Sequence, residues 1–167
     1  MEIFKLATDW AKAEVFSSKF FILFGVFFIL AFLGFKQLGK SEIAKAYITP
    51  TLVAGILLLI IGIGLVYTNT ARVKAFTKDN NTTVFLNTEI SRAEKSIAEY
   101  KLIVFKVIPV IIVVCALLIV FIDKPNWRAI CITTIAMMIV ILLIDSNAHS
   151  RINTYHKQLL WVKNQNI

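Results

Sequence analysis

The sequence predicts an all-α membrane bundle of four crossing helices, and three observations predict it. Residues 46–67 contain no Asp, Glu, Lys or Arg, and at 1.5 Å per residue a helix needs about 20 such positions to cross the hydrocarbon core. Three further apolar runs, 20–35, 102–122 and 129–144, stand beside it. Of the 167 residues 58% are hydrophobic and 17% charged, against about 25% charged in an ordinary soluble domain. The apolar residues are gathered into blocks, which is membrane patterning rather than a larger core. The chain therefore reads as a single integral membrane domain. A cytoplasmic helical hairpin, 68–101, extends spans 2 and 3, with an N-terminal amphipathic helix before span 1 and a cytoplasmic helical tail, 145–167, after span 4.

At the N-terminus Ile3, Ala7, Trp10, Ala11 and Val15 share one helical face, with Glu2, Lys5, Asp9 and Lys12 largely opposite. Such a helix is expected to lie on the membrane as an interfacial helix, the alternative being a plain extension below the first span. Its long charged leader, with no small-residue cleavage site after the apolar run, is not expected to be a signal peptide. The first span reaches about 24 Å, so it borrows length from its flanks or sits in a thinned bilayer. Phe20, Phe24, Phe27 and Phe28 give it a bulky face, assigned to lipid. A polar turn, 37–45, leads to the second span, where Pro50 falls in the first turn and its missing N–H costs little. Gly55 and Gly62 share a face that Gly64 broadens, a candidate helix-packing surface of the small-residue kind. Tyr47 and Tyr67 mark the two interfaces.

In the central polar stretch, Asn80 to Thr83 reads as a turn with candidate N-caps. Two N-glycosylation patterns overlap there, at Asn80 and Asn81, and carry no meaning on a cytoplasmic face. Leu86, Ile90, Ala93, Ile97, Tyr100 and Val104 then recur at spacings of four and three, the a/d seam of a coiled coil. Val73 and Phe76 on the ascending arm, or another subunit, are its candidate partners. No breaker separates the seam from the third span, so one helix of about 58 Å is expected over 84–122. Lys106 lies one turn inside that span. A membrane-embedded lysine is a functional candidate by default, although residues 107–122 alone match the first span in length and would let it snorkel. Pro109 predicts a kink. Asp123 to Trp127 makes a tight external turn with Asn126 as cap. In the fourth span Thr133 and Thr134 are expected to bond back to their own helix, and Asp145 closes it. Ile152, Tyr155, Leu159 and Val162 form a stripe on the tail, suited to packing on the hairpin.

The net charge is +8. No basic run of five or more is present, so nucleic acid is not an expected partner; Lys and Arg beside spans instead set orientation and meet anionic lipid. Four spans put both termini and the central segment on one side. Of the 18 Lys and Arg, twelve lie there (5, 12, 19, 72, 74, 78, 92, 95, 101, 151, 157, 163), five lie opposite (36, 40, 45, 124, 128), and Lys106 is the remaining one. That bias predicts a multi-pass protein of a bacterial inner membrane with both termini cytoplasmic.

Chemistry is sparsely marked. Cys115 and Cys131 fall inside apolar runs and read as packing residues. There is no Walker loop, Rossmann glycine pattern or paired-His zinc motif. Asp145, His149 and His156 are spaced too widely for a closed metal site, so no metal or cofactor is expected. Arg151 and His156 have the Arg-x4-His spacing and so resemble the HEPN ribonuclease motif. That resemblance implies an Arg and a His meeting the equivalent pair of a second subunit to cleave RNA; Ile152 stands where that family usually has a polar residue. The plainer reading is an amphipathic tail at the lipid surface. Lys5-Leu-Ala-Thr-Asp-Trp-Ala-Lys12, Thr134-Ile-Ala-Met137 and Asp145-Ser-Asn-Ala-His149 resemble uncharacterised small four-span inner-membrane proteins of the Bacteroidota. That likeness implies the four-span architecture and no activity. The expected function is a non-enzymatic structural or accessory subunit of a homo- or hetero-oligomeric membrane complex, its partners being the bilayer and other protein. The seam and the glycine face, Gly55, Gly62 and Gly64, would carry it. The alternative is an ion or small-solute channel or carrier subunit, with Thr49, Thr51, Thr133, Thr134 and Lys106 toward a pore. The third is a membrane-tethered HEPN-like ribonuclease using Arg151 and His156.

Overall fold

The computed structural model describes residues 2–76 and 82–165, and these are helical nearly throughout. Helix α1 spans Glu2–Leu38, α2 Glu42–Ala46, α3 Ile48–Phe76 and α4 Thr82–Leu102. A π-helical turn, Ile103–Val107, joins α4 to α5, Ile108–Phe121, and α6 runs over Pro125–Gln165. Four helical stretches are long and apolar enough to cross a membrane: one in α1, one in α2 and α3, one from α4 through α5, and one in α6. Asn80 and Asn81, and with them most of the expected turn and glycosylation patterns, lie outside the described residues.

The helices are longer than the bilayer requires. The 41 residues of α6 reach about 61 Å and the 37 of α1 about 55 Å, against a hydrocarbon core of about 30 Å. The surplus gathers at one end, where the start of α1, the end of α3, all of α4 and the end of α6 form a second, water-type bundle. Its core holds Ile3, Ala7 and Ala11 of α1, Phe76 of α3, Phe85, Leu86, Ile90 and Ala93 of α4, and Ile152, Tyr155 and Leu159 of α6. The amphipathic N-terminal stretch is therefore a straight continuation of the first span, and its apolar face covers helices rather than lipid. Ala7 and Ala11 are the contact because small side chains let α1 come close. Fully burying side chains such as Leu159 and Ile152 contributes about 1.5–3 kcal/mol each.

The seam of α4 is covered within the chain. Leu86, Ile90 and Ala93 are buried, and Ile97 and Tyr100 pack on the same cluster. The main cover is the tail: α4 packs on α6, as the Ile152, Tyr155, Leu159, Val162 stripe suggested. Phe76 meets the seam edge-on through Phe85, ring centroids 5.3 Å apart, and Val73 joins the cluster.

In the apolar half, α1 and α3 form the tightest pair, and glycine is the reason. A Cβ on Gly62 would stand 2.7 Å from Ile22 Cγ1 and 2.9 Å from its backbone N; one on Gly55 would stand 2.8 Å from Ile29. Gly25 of α1, which the sequence reading passed over, makes the reciprocal approach to Leu59. Gly64 has nothing within 4 Å of its Cβ position, so it is not part of this surface. The core here is small: Phe21, Leu58, Val140 and Ile144, with Phe24 and Phe28 packed beside them. The phenylalanine face thus divides. Phe20 and Phe27 point outward, while Phe24 and Phe28 turn to the bundle.

Local chemistry sets the remaining ends. Ser41 caps α2, its hydroxyl accepting from Ala44 N–H at 3.1 Å. Pro125 opens α6, which moves Asn126 from the expected cap position into the first turn; Asp123 instead pairs with Arg128 at 3.0 Å. Pro109 has no N–H for the carbonyl four residues back. The helix responds upstream with the π-turn, where Ile108 N–H reaches the carbonyl of Ile103. Lys106 sits in that turn and is exposed.

Candidate functional site

The neck between the two cores is where polar side chains meet. At the bottom of the water-type bundle, Glu89 of α4 is 4% exposed and accepts three hydrogen bonds. Arg92 Nε and Nη2 donate at 2.9 and 2.6 Å, and the Tyr155 hydroxyl of α6 donates at 2.8 Å. The Arg92 guanidinium lies over the Trp10 ring of α1 at 4.3 Å, and Trp10 stacks on Tyr155 at 5.1 Å. Three helices are thus locked by one ion pair, one phenol and one indole. Burial, with the Glu89 charge beside it, holds the Tyr155 hydroxyl above the usual phenol range, so it stays a donor. The carboxylate bonds more than offset desolvation for Arg92 and hold its guanidinium above its ordinary value.

One turn toward the apolar half, Arg151 Nε of α6 donates to Glu14 of α1 at 2.9 Å. Beside this pair lies a cavity of about 70 Å³, lined by Glu14, Asn69, Arg72, Arg92, Tyr100 and Asp145 among others. A polar space of this size has room for water. Arg72 donates to Asn69 Oδ1 at 3.0 Å; desolvation first and Arg92 second lower its pKa. Burial pushes the Asp145 carboxyl up to about 6, with the Glu14 charge adding to it. Burial likewise raises Tyr100.

The residues singled out in the sequence do not converge here. Arg151 is engaged by Glu14 on α1, while His156 Nε2 lies 3.4 Å from Glu94 Oε1 on α4, near enough for attraction but not aligned as a hydrogen bond. The two face different neighbours, and His149 sits edge-on to Tyr100 and Phe105. Among the described residues no three of His, Cys, Asp and Glu are placed to hold a metal. Lys106 stands apart on the outer surface. Thr49, Thr133 and Thr134 do meet, with Lys45 and Asn126, in a cleft of about 450 Å³ at the opposite end of the bundle. Thr51 is turned inward, its hydroxyl donating to the carbonyls of Tyr47 and Ile48.

In the sequence Glu14, Arg72 and Glu89 are not marked as site residues, and Asp145 stands out only as the end of the fourth span and in a stripe too wide for a metal. One signal was present: Asp145 directly abuts an apolar run, and Glu14 stands shortly before the first. Their meeting with Arg72 depends on three helix rotations that one sequence does not encode visibly. No protein-family model, curated protein or solved structure matches the chain.

Proposed function

We propose that the chain is a non-enzymatic integral protein of a bacterial inner membrane that works by associating, with copies of itself or within a larger membrane complex. Both termini and the α4 bundle lie on the cytoplasmic side in this reading, which rests on the twelve-to-five Lys and Arg bias. The observation that carries the association is the third span. Helix α5 packs on α6, while neither α1 nor α3 approaches it closely, and Ile108 is the one buried residue of its 14. Val113, Leu117 and Val120 are all more than half exposed. The seam and the glycine face are satisfied inside the chain, so the unmatched surface for a partner is this helix. Membrane helices associate through close packing, and a span with one neighbour has most of its circumference free for it.

The test uses a chain with Cys115→Ala and Cys131→Ala and a single new thiol, Val113→Cys or Leu117→Cys. Mild oxidation in membranes is expected to give a crosslinked dimer, or gentle extraction a larger complex. A monomer by size, with no crosslinked product at either position, ends the reading.

A second reading, a channel or carrier subunit, is favoured by the meeting of Thr49, Thr133 and Thr134 in the opposite-end cleft. Leu57 and Met137 also line that cleft. Solute flux into liposomes that is no greater with the protein than without it removes this alternative.

A further inference from the structure

Between α3 and α5 the bundle leaves a cleft of about 530 Å³ with α6 at its back. This is within the range of small-molecule sites. The walls change character along its length. In the apolar half they are Ile61, Ile108, Ile111 and Met138, which is hydrocarbon and sulfur throughout. At the neck they are Arg72, Tyr100 and Asp145.

Among the described residues neither neck charge has an ion-pair partner within 4.0 Å, although Glu89 and Glu14 attract Arg72 from farther off. Arg72 bonds the neutral Asn69, and no carboxylate among the described residues lies within 4.0 Å of it. The nearby carboxylates are engaged elsewhere: Glu89 with Arg92, Glu14 with Arg151. Glu99, also on the cleft, faces Lys95. Asp145 likewise has no ion pair among the described residues; the charge acting on it is the like charge of Glu14. An unanswered cation and an unanswered carboxylate therefore open onto the head of one apolar trough.

We propose that this cleft seats a phospholipid of the phosphatidylethanolamine class, with its phosphate on Arg72, its ammonium on Asp145 and one acyl chain along Ile61 and Ile111. The ligand must bring both signs of charge and a hydrocarbon tail. A primary ammonium supplies N–H donors to the carboxylate, which a choline head lacks, and a glycerol head lacks the cation. Guanidinium and phosphate form strong charge-assisted bonds. The Tyr100 hydroxyl, kept protonated by burial, is a further donor at the same level. Helices α3 and α5 both line the trough without packing closely on each other, which leaves a way in for a lipid between them. A partner helix would match the apolar walls but leave both charges unanswered. The inference rests on the helices lying in a bilayer and not on any protein partner.

The test is native mass spectrometry of the full chain released from vesicles of equal parts phosphatidylethanolamine, phosphatidylglycerol and phosphatidylcholine. The wild type is expected to retain the ethanolamine lipid about tenfold over the choline lipid, the worth of one good charge-assisted contact. Asp145→Asn should erase that preference while lipid still binds. Arg72→Gln should lower retention of all three. Ile111→Trp, which narrows the acyl end of the trough and leaves the charges alone, should lower lipid retention in a folded protein. Equal retention of ethanolamine and choline lipids by the wild type overturns the proposal, as does a preference that survives Asp145→Asn. So does lipid retention by Ile111→Trp equal to that of the wild type, or a second copy crosslinked from Ile61→Cys to Ile111→Cys in the lipid's place.

Discussion

Glu89 shows how a single buried carboxylate can order a bundle. Its three donors come from two helices, and Arg92 carries the third helix through Trp10. Removing one partner of a buried ion pair costs about 3–5 kcal/mol, because the other is left charged and uncompensated; removing both together costs far less. Glu89→Ala is therefore expected to destabilise the protein by about that amount, and Glu89→Leu with Arg92→Met by clearly less, in equilibrium unfolding from mild detergent. A double variant as unstable as the single one would show that the pair itself, not the stranded charge, is what matters. Asp145 is the opposite case, a carboxylate with no ion pair among the described residues. Its folded pKa, about 6, lies above the ordinary 3.8, so the folded chain binds this proton more tightly than the unfolded one. The stability it contributes is complete below about pH 4, declines as pH rises to about 6, and is absent beyond. The charged and titratable groups around it are Glu14 of α1, Arg72 of α3, and Arg92 and Tyr100 of α4, which line the same cavity. Asp145→Asn should thus melt above the wild type near pH 7.5 and together with it near pH 4, in a detergent free of phospholipid. A gain of the same size at both pH values would mean that charge is not the cause.

At the scale of elements, the α1–α3 pair depends on which glycines face it. A Cβ on Gly62 would meet the backbone N of Ile22 at 2.9 Å, and backbone cannot swing aside. Gly62→Ala is expected to cost about 1–3 kcal/mol by overpacking. Gly64→Ala, facing open space, should be neutral or gain up to about 1 kcal/mol from helix propensity. Thermal unfolding of the two variants side by side checks this, and equal effects would mean the helices do not approach as described. Periodicity and run length made the helices, the internal burial of the tail stripe and the proline in the first turn of α3 legible in the sequence. They also gave Gly55 and Gly62 as packing positions. What they could not give is rotation. Gly64 lies two residues from Gly62, a 200° turn, yet looks equivalent in composition. The π-turn before Pro109 was equally hidden: a proline announces a missing donor but not whether the helix kinks or widens. The neck site needed both kinds of information. Glu14, Arg72 and Asp145 sit on three helices, and their meeting is a product of phase rather than of any motif.

The whole molecule is two bundles sharing the same helices, one with a buried core of the kind found in water and one whose helices are long and apolar enough to cross a membrane. The water-type end buries Leu159, Ile152 and Ala93 almost completely. In the other half, large side chains such as Ile60, Val110 and Val120 face outward at 61–74% exposure, and exposed apolar surface on that scale marks an interaction with something other than water. In the proposed membrane placement the polar neck falls at the boundary, where a charge can be half-buried and still reach head groups, and the Lys and Arg bias predicts which end faces the cytoplasm. In a chain carrying Cys115→Ala and Cys131→Ala, Thr88→Cys places a thiol on the exposed face of α4, and Trp127→Cys places one at the start of α6, at the opposite end. A membrane-impermeant maleimide added to intact cells should label Trp127→Cys and spare Thr88→Cys until the membrane is opened. Labelling at Thr88→Cys alone would invert the protein and move Arg72 and Asp145 to the outer leaflet, where the ethanolamine lipid would have to be drawn from that side. Labelling of both in sealed cells would mean that α1, α3, α5 and α6 do not cross the bilayer at all.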